Sequence, residues 1–274
     1  MIPAGREFYK MSGSGNDFVF VDARTQPAGR LNDIEIIQSI CARGTGVGAD
    51  GIVFLEPSAA ASIRLRYLNS DGSVAALCGN ATLCTARLFV ELGGATPDDS
   101  FTIETAAGVL EAVVHAGTGP EIEMPAVAHL TPTVPIRLGP GERRAGFVQV
   151  GIPHLVVLCD DIDAVDIVGR GRPLRFDPAF AAGTNVNFVG RGPDERWYMR
   201  TYERGVEGET LACGTGAVAT AVILNHWDLA PKGGEMVTRS GKVLRIGVRS
   251  EGGVITPRLA GEARIVYRGS LAEI

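Results

Sequence analysis

Two stretches of the chain set a cysteine directly before a glycine at the head of an apolar, helix-forming run: LCGNATLCTARLFVEL (77–92) and ACGTGAVATAVILNHW (212–227). A helix N-terminus presents unpaired backbone N–H groups and a partial positive charge, so a thiol placed there is biased toward thiolate. The same amides can hold a carboxylate. Gly79 and Gly214 allow a ligand to approach the backbone, and Asn80 and Thr215 carry the next amides. Removing an α-proton beside a carboxylate pushes charge onto that carboxylate, where helix dipoles and fixed amides stabilise it. One cysteine as thiolate can take the proton from one face while the other, as thiol, returns one to the opposite face. Two such loops set on one substrate point to inversion of a stereocentre, which needs no cofactor.

Other polar residues gather in corresponding loops. Asn16 follows Gly-Ser-Gly ahead of a strand, and Asn69 opens Asn-Ser-Asp-Gly before the first cysteine. Glu203 and Arg204 lie in Tyr-Glu-Arg-Gly before the second, Asn185 in GTNVNF and His154 in GIPHLVV. Singly, such residues at strand ends are ordinary turn formers. Together they offer amide, carboxylate, guanidinium and imidazole groups to one ligand. Cys41, Cys84 and Cys159 lie in apolar runs without a glycine turn and read as core thiols.

The elements that must position these groups repeat. Cys78 and Cys213 are 135 residues apart, close to half of the 274-residue chain. GADGIVFL (48–55) and GTNVNFVG (183–190) each start 30 residues before their cysteine. IRLRYLN (63–69) and WYMRTYE (197–203) alternate with the period of half-buried strands. TAAGVLEAVV (105–114) and TRSGKVLRIGV (238–248) follow the helices, and NDFVFVD (16–22) matches HLVVLCD (154–160). Five matches in one order imply a duplication and two mixed α/β domains in pseudo-twofold relation.

Composition narrows the function. Apolar residues at 45% and charged residues at 21% fit a globular chain. A net charge of −5 gives no basic footprint for nucleic acid or an anionic membrane, and no run of about 18 apolar residues or signal-peptide core occurs, so a cytoplasmic protein is expected. Five cysteines without a CxxC pair, and four histidines without HxH or HExxH spacing, suggest neither a disulfide framework nor a metal site. The only lysines, Lys10, Lys232 and Lys242, leave few candidates for Schiff-base chemistry. GVGADG (46–51) fits GxGxxG, but a helical pattern precedes it and a strand follows, the reverse of the dinucleotide fingerprint.

In SGSGNDFVFVD (12–22), GTGVGADGI (44–52), YLNSDGSVAALCGN (67–80), GIPHLVV (151–157), GTNVNF (183–188) and YERGVEGETLACGTGA (202–217) the chain resembles the diaminopimelate epimerases. That resemblance implies an α+β fold of two similar domains, each a closed, mostly antiparallel sheet around a central helix. The domains would be 1–118, with a C-terminal strand 263–274 returning to it, and 119–262. It implies interconversion of LL- and meso-diaminopimelate on the route to lysine and peptidoglycan, with racemisation of another amino acid as the alternative. Cys78 and Cys213 would be the acid/base thiols, assisted by His154 and Glu203. Gly79, Asn80, Gly214 and Thr215 would cradle the reacting carboxylate; Asn16, Asn69, Asn185, Glu203 and Arg204 would hold the substrate, Arg204 as a fork on the distal carboxylate. No cofactor, metal, nucleic-acid or membrane partner is expected; a homodimer is allowed. Three positions depart from the family pattern: Ala81 stands where glycine is frequent, Ile152 replaces an asparagine amide expected at the distal centre, and Gly51 stands where some members carry glutamine.

Overall fold

The period-two stretches become strands and the Cys-Gly runs become helices. The structure, a computed structural model, describes residues 5–75 and 77–272. Two compact units emerge, one of Met1–Ile122 with Gly261–Ile274 and the other of Glu123–Ala260.

The first unit contains β1 (Arg6–Gly13), β2 (Asn16–Asp22), α1 (Ile34–Cys41), β3 (Gly51–Glu56), β4 (Ile63–Asn69), α2 (Gly79–Glu91), β5 (Phe101–Thr105), β6 (Gly108–His115) and β7 (Gly119–Glu123). The second contains β8 (His129–Thr131), β9 (Glu142–Val150), β10 (Ile152–Cys159), α3 (Ile167–Arg175), β11 (Asn185–Arg191), β12 (Trp197–Glu203), β13 (Gly208–Thr210), α4 (Gly214–His226), β14 (Gly233–Val237), β15 (Val243–Glu251) and β16 (Val254–Ala260). The last strand, β17 (Ala263–Leu271), returns to the first unit and pairs antiparallel with β1.

Pairing repeats step for step. In the first unit β1–β2 is antiparallel, β2–β3 parallel, β3–β4 antiparallel, β4–β5 parallel, and β5–β6 and β6–β7 antiparallel. The second runs β9–β10, β10–β11, β11–β12, β12–β14, β14–β15 and β15–β16 in that same sequence of senses. A parallel pair requires a crossover, and helices supply all four: α1 and α3 outside, α2 and α4 inside. Each unit is thus a mixed, largely antiparallel sheet laid around a central helix, the expected α+β class.

The inner helices are buried along most of their length, α4 because a helix with no polar face must be, and α2 with the Arg87–Glu91 ion pair reaching solvent at its last turn. Gly79–Ala86 of α2 and Gly214–Leu224 of α4 are buried throughout. α2 packs on β1, β4, β6 and β17; α4 packs on β9, β10, β11, β14, β15 and β16. Full burial of side chains such as Leu83, Leu88, Val218 and Ile223 contributes about 1.5–3 kcal/mol each. The threonines inside stay satisfied: Thr82 and Thr85 Oγ1 donate to the carbonyls of Cys78 and Ala81, both at 2.9 Å. Outside, Ile37 and Ile40 of α1 cover Val19, Val21, Ile52 and Phe54, and Ile167 and Leu174 of α3 cover Leu155, Val157, Val186 and Phe188. Strands β2, β3, β10 and β11 are therefore buried on both faces, which explains their near-continuous apolar sequence. Among the described residues no helix is long and apolar enough to cross a membrane.

Candidate active site

Cys213 is the N-cap of α4, in extended backbone (φ −138°, ψ 106°), with Gly214 as the first helical residue. The start is fixed because Ala217 N donates to the Cys213 carbonyl at 2.9 Å, closing the first turn and leaving the amides ahead of it for a ligand. Cys213 Sγ lies 3.5 Å from the Thr215 hydroxyl. Beneath the turn, the Asn187 amide and the Cys213 thiol converge on Gly216: a Cβ there would sit 2.3 Å from Asn187 Oδ1 and 3.1 Å from Cys213 Sγ.

Strands β10 and β11 place His154 beside Asn185 in parallel register. Both are buried. Asn185 Oδ1 accepts from the Arg204 backbone N–H at 2.8 Å, so its Nδ2 points the other way. Asn185 Nδ2 and His154 Nε2 are two buried nitrogens with no partner among the described residues. Neighbouring donors of this kind suit a ligand oxygen, since an unmet buried N–H costs about 1–3 kcal/mol. Arg204 leaves β12 beside them, its guanidinium donating to the Ala182 carbonyl at 3.0 Å, and Glu203 ends the strand. Burial, and then the Arg204 charge, push the His154 imidazole down to about 3, so it is neutral.

Cys78 of the first unit repeats the cap geometry (φ −129°, ψ 109°) with Gly79 opening α2, and Thr82 N closes the turn on its carbonyl at 3.0 Å. Cys78 lines a pocket of about 260 Å³ together with Tyr67, Leu77 and Thr105. Asn80 Nδ2 donates to Asn16 Oδ1 at 2.7 Å, and Asn16 Nδ2 donates to Asp50 Oδ2 at 3.0 Å. A carboxylate only accepts, so Asp50 fixes which way the Asn16 amide faces. Asp50 is held in turn by Arg43 at 2.8 Å, which also binds Asp17 at 2.6 Å; Lys10 reaches Asp17 at 2.6 Å. Burial raises the Asp17 carboxyl, but hydrogen bonds from Arg43 and Lys10 outweigh it and hold the group below its ordinary value. Asn69 ends β4, where its Nδ2 donates to Ser73 Oγ at 3.0 Å in the turn ahead of Cys78.

The other three cysteines are core residues. Burial pushes the thiol of Cys41 up to about 11 and that of Cys159 up to about 12, and raises that of Cys84 well above its usual value. Each is therefore a thiol at neutral pH. Gly51 has a structural cause: a Cβ there would lie 2.4 Å from the Leu68 carbonyl and 2.5 Å from the Tyr67 ring. Ala81 sits inside α2, fully buried, where a methyl group is compatible with helix. A cavity of about 810 Å³ between α1, β1 and β17 touches none of the residues named for chemistry.

Sequence reasoning missed Asn187, Thr201 and Asp50. The signal for Asn187 was present, because residues two apart on a strand share a face and Asn185 was already a candidate. Asp50 gave none, since its partner Asn16 is 34 residues away.

The profile of the family described as diaminopimelate epimerase matches residues 8–129 and 146–269. The diaminopimelate epimerase of Gemmatimonas aurantiaca is 46% identical over 277 residues, covering 97% of this chain and 99% of that protein. That of Archaeoglobus fulgidus is 38% identical, covering 96% and 95%. Among solved structures, a Bacillus anthracis phenazine biosynthesis protein of the PhzF family superposes with a TM-score of 0.76 at 16% identity, covering 97% and 99%. A hydroxyproline epimerase from Agrobacterium vitis superposes with a TM-score of 0.69 at 18% identity, covering 99% and 93%. The structural neighbours share the fold; the sequence relatives fix the membership: this chain is an isomerase of the diaminopimelate epimerase family.

Proposed function

We propose that the chain interconverts LL- and meso-diaminopimelate by two-base proton transfer, with Cys78 and Cys213 as the bases and without a cofactor. The observation that carries this reading is the repeated cap: in each unit a cysteine in extended backbone precedes a glycine that opens a buried helix. The amides of Gly79, Asn80, Gly214 and Thr215 stabilise the carboxylate as charge develops on it. A thiolate removes the α-proton from one face, the opposing thiol protonates the other, and the two exchange roles in the reverse direction. His154 and Glu203 assist the thiols, while Asn16, Asn69, Asn185 and Arg204 hold the substrate. The distal end is a zwitterion, so Arg204 supplies the charge for its carboxylate and Glu203 can accept from its ammonium. We assign the enzyme to the cytoplasm, consistent with a small-molecule biosynthetic role, and a homodimer as its assembly. Incubation with LL-diaminopimelate in D2O tests the reading: deuterium should enter the α-position as meso product forms, followed by NMR. A chain that leaves diaminopimelate unexchanged while exchanging another amino acid would overturn the substrate.

A further inference from the structure

The two units are alike in backbone but not in what fills the wall beneath the cysteine turn. Phe18 in β2 is in register with Gly51, as His154 in β10 is with Asn185. Val53 lies across from Tyr67, as Asn187 lies across from Thr201. Taken from strand register, which shifts the match of NDFVFVD by two residues and that of GADGIVFL by one from the motif alignment, Phe18, Val53 and Tyr67 of the first unit correspond to His154, Asn187 and Thr201 of the second. The first trio packs through rings, Phe18 and Tyr67 meeting edge to face at 5.7 Å. The second trio is polar and fully buried, an arrangement that costs free energy unless every group is matched.

The matching has one solution. Asn187 Nδ2 lies 3.1 Å from the Leu155 carbonyl, which can only accept, so the amide cannot be turned over. Thr201 Oγ1 donates to Asn187 Oδ1 at 3.0 Å and fixes the other end. The second Nδ2 hydrogen points to His154 Nδ1, also at 3.1 Å. That ring nitrogen must then be the acceptor. A neutral imidazole has a single N–H, which falls on Nε2, the buried nitrogen without a partner among the described residues. We infer that Asn187, oriented by Thr201 and the Leu155 carbonyl, is a positioning residue that locks His154 in its Nε2–H tautomer, so that the imidazole meets the reactants as a hydrogen-bond donor and not as a base.

This rests on the proposed function for what Nε2–H donates to, a thiolate or a carboxylate oxygen, but not for the lock itself. The donor at Nε2 stabilises negative charge on either, and leaves proton transfer to the thiols. Polar matching also explains why Gly216 is glycine, since the amide needs the space that a methyl group would occupy.

The test is the tautomer. In protein labelled with 15N-histidine, two-bond 1H–15N spectra should show His154 Nδ1 as the bare nitrogen and Nε2 as the protonated one, with the His154→Gln spectrum identifying its peaks among the four histidines. Nδ1–H in the wild type would overturn the lock whatever the variants do. Asn187→Asp keeps the shape but replaces the donor with an acceptor; it should move the proton to Nδ1 or protonate both nitrogens. Its kcat should drop by about tenfold or more with KM little changed. If Asn187→Asp does not fold, Thr201→Val serves: it should loosen the amide, mix the two tautomers and lower kcat by a smaller factor. A folded variant with an unshifted tautomer and unchanged kcat would also refute the role. Failure of the epimerase reading would appear separately, as a wild type with the expected tautomer and no diaminopimelate turnover.

Discussion

Gly216 lies in the first turn of α4 directly over Asn187, so close that a Cβ on it would fall 2.3 Å from the amide oxygen. The contact decides a substitution that helix propensity alone would get wrong. Alanine is favoured over glycine in a helix by about 1 kcal/mol. Asn187, however, holds hydrogen bonds to Thr201, His154 and Leu155, each contributing about 0.5–1.5 kcal/mol, and it cannot retreat without breaking some of them. Gly216→Ala should therefore fold but lose about tenfold or more in kcat. Ala81→Gly, at the matching position of α2, should cost about 1 kcal/mol of stability and leave kcat unchanged. Steady-state kinetics with thermal melts of both variants separate the outcomes; a fully active Gly216→Ala would show that the amide moves freely.

Cap position sets two of the thiols apart: Cys78 and Cys213 stand immediately before the first residues of α2 and α4. Cys78→Ala and Cys213→Ala should each reduce epimerisation by at least about 1,000-fold, toward the upper range for loss of acid–base groups. Cys41→Ala, Cys84→Ala and Cys159→Ala should retain turnover and lose only stability, because their thiols are buried and protonated. Either single variant at the caps should still exchange one α-proton with D2O, since one base survives. Normal turnover without Cys78 or without Cys213 would end the two-base mechanism.

The helix starts were legible because their cause is local. A cysteine-glycine junction ahead of an apolar run specifies a cap, and Gly79 and Gly214 do open α2 and α4. IRLRYLN and WYMRTYE coincide with β4 and β12, since period-two alternation and flanking polar turns both act over a few residues, and the apolar run of NDFVFVD coincides with the doubly buried β2. What escaped was nonlocal. Asn187 gains its meaning from His154 on the preceding strand and from Thr201 on the following one, and Asp50 gains its own from Asn16 across a loop. The replacement of Phe18, Val53 and Tyr67 by His154, Asn187 and Thr201 becomes visible only once strand register aligns the halves.

Stability should depend on pH through His154. Its imidazole titrates near 3 when folded and near ~6.5 when unfolded, so between those values the unfolded chain binds a proton that the folded one does not. Folding stability from this group is complete above pH ~6.5 and declines as pH falls, by about 1.4 kcal/mol per unit. His154→Phe, which installs the residue found at position 18, should remove one proton's worth of slope between pH ~6.5 and ~5, above the range where carboxylates dominate. Urea midpoints at three pH values measure it. Identical slopes in the two proteins would mean that the imidazole is not buried and neutral.

Asp50 should control substrate binding through Asn16. Its Oδ2 takes the Asn16 Nδ2 hydrogen and the Asp17 backbone N–H, at 3.0 and 3.2 Å. Asp50→Asn keeps the volume but frees the Asn16 amide to turn over, since an amide partner can donate as well as accept. Hydrogen bonds to a charged group contribute about 1.5–3 kcal/mol, so KM should rise by roughly 10- to 100-fold with kcat less affected. An unchanged KM would remove Asn16 from the substrate-binding set.

Ile152 is the residue most at odds with a zwitterionic substrate, and magnitudes decide how much it matters. It opens β10 two residues before His154, where an asparagine amide would supply one neutral hydrogen bond. Losing such a bond costs about 0.5–1.5 kcal/mol, or two- to tenfold in affinity. Removing the guanidinium from a desolvated carboxylate costs about 3–5 kcal/mol, or two to four orders of magnitude. Arg204 and Asn185 are both present, tied to each other through the Arg204 backbone N–H at 2.8 Å, so charge recognition outweighs the missing amide. Ile152→Asn should lower KM for LL-diaminopimelate by about two- to tenfold, and Arg204→Ala should reduce kcat/KM by at least about 100-fold. The same assays with lysine and medium-sized apolar amino acids supply the control. If an apolar amino acid is turned over faster than diaminopimelate, and Ile152→Asn slows it, then Ile152 lines a side-chain pocket and the distal charge is not what this site selects.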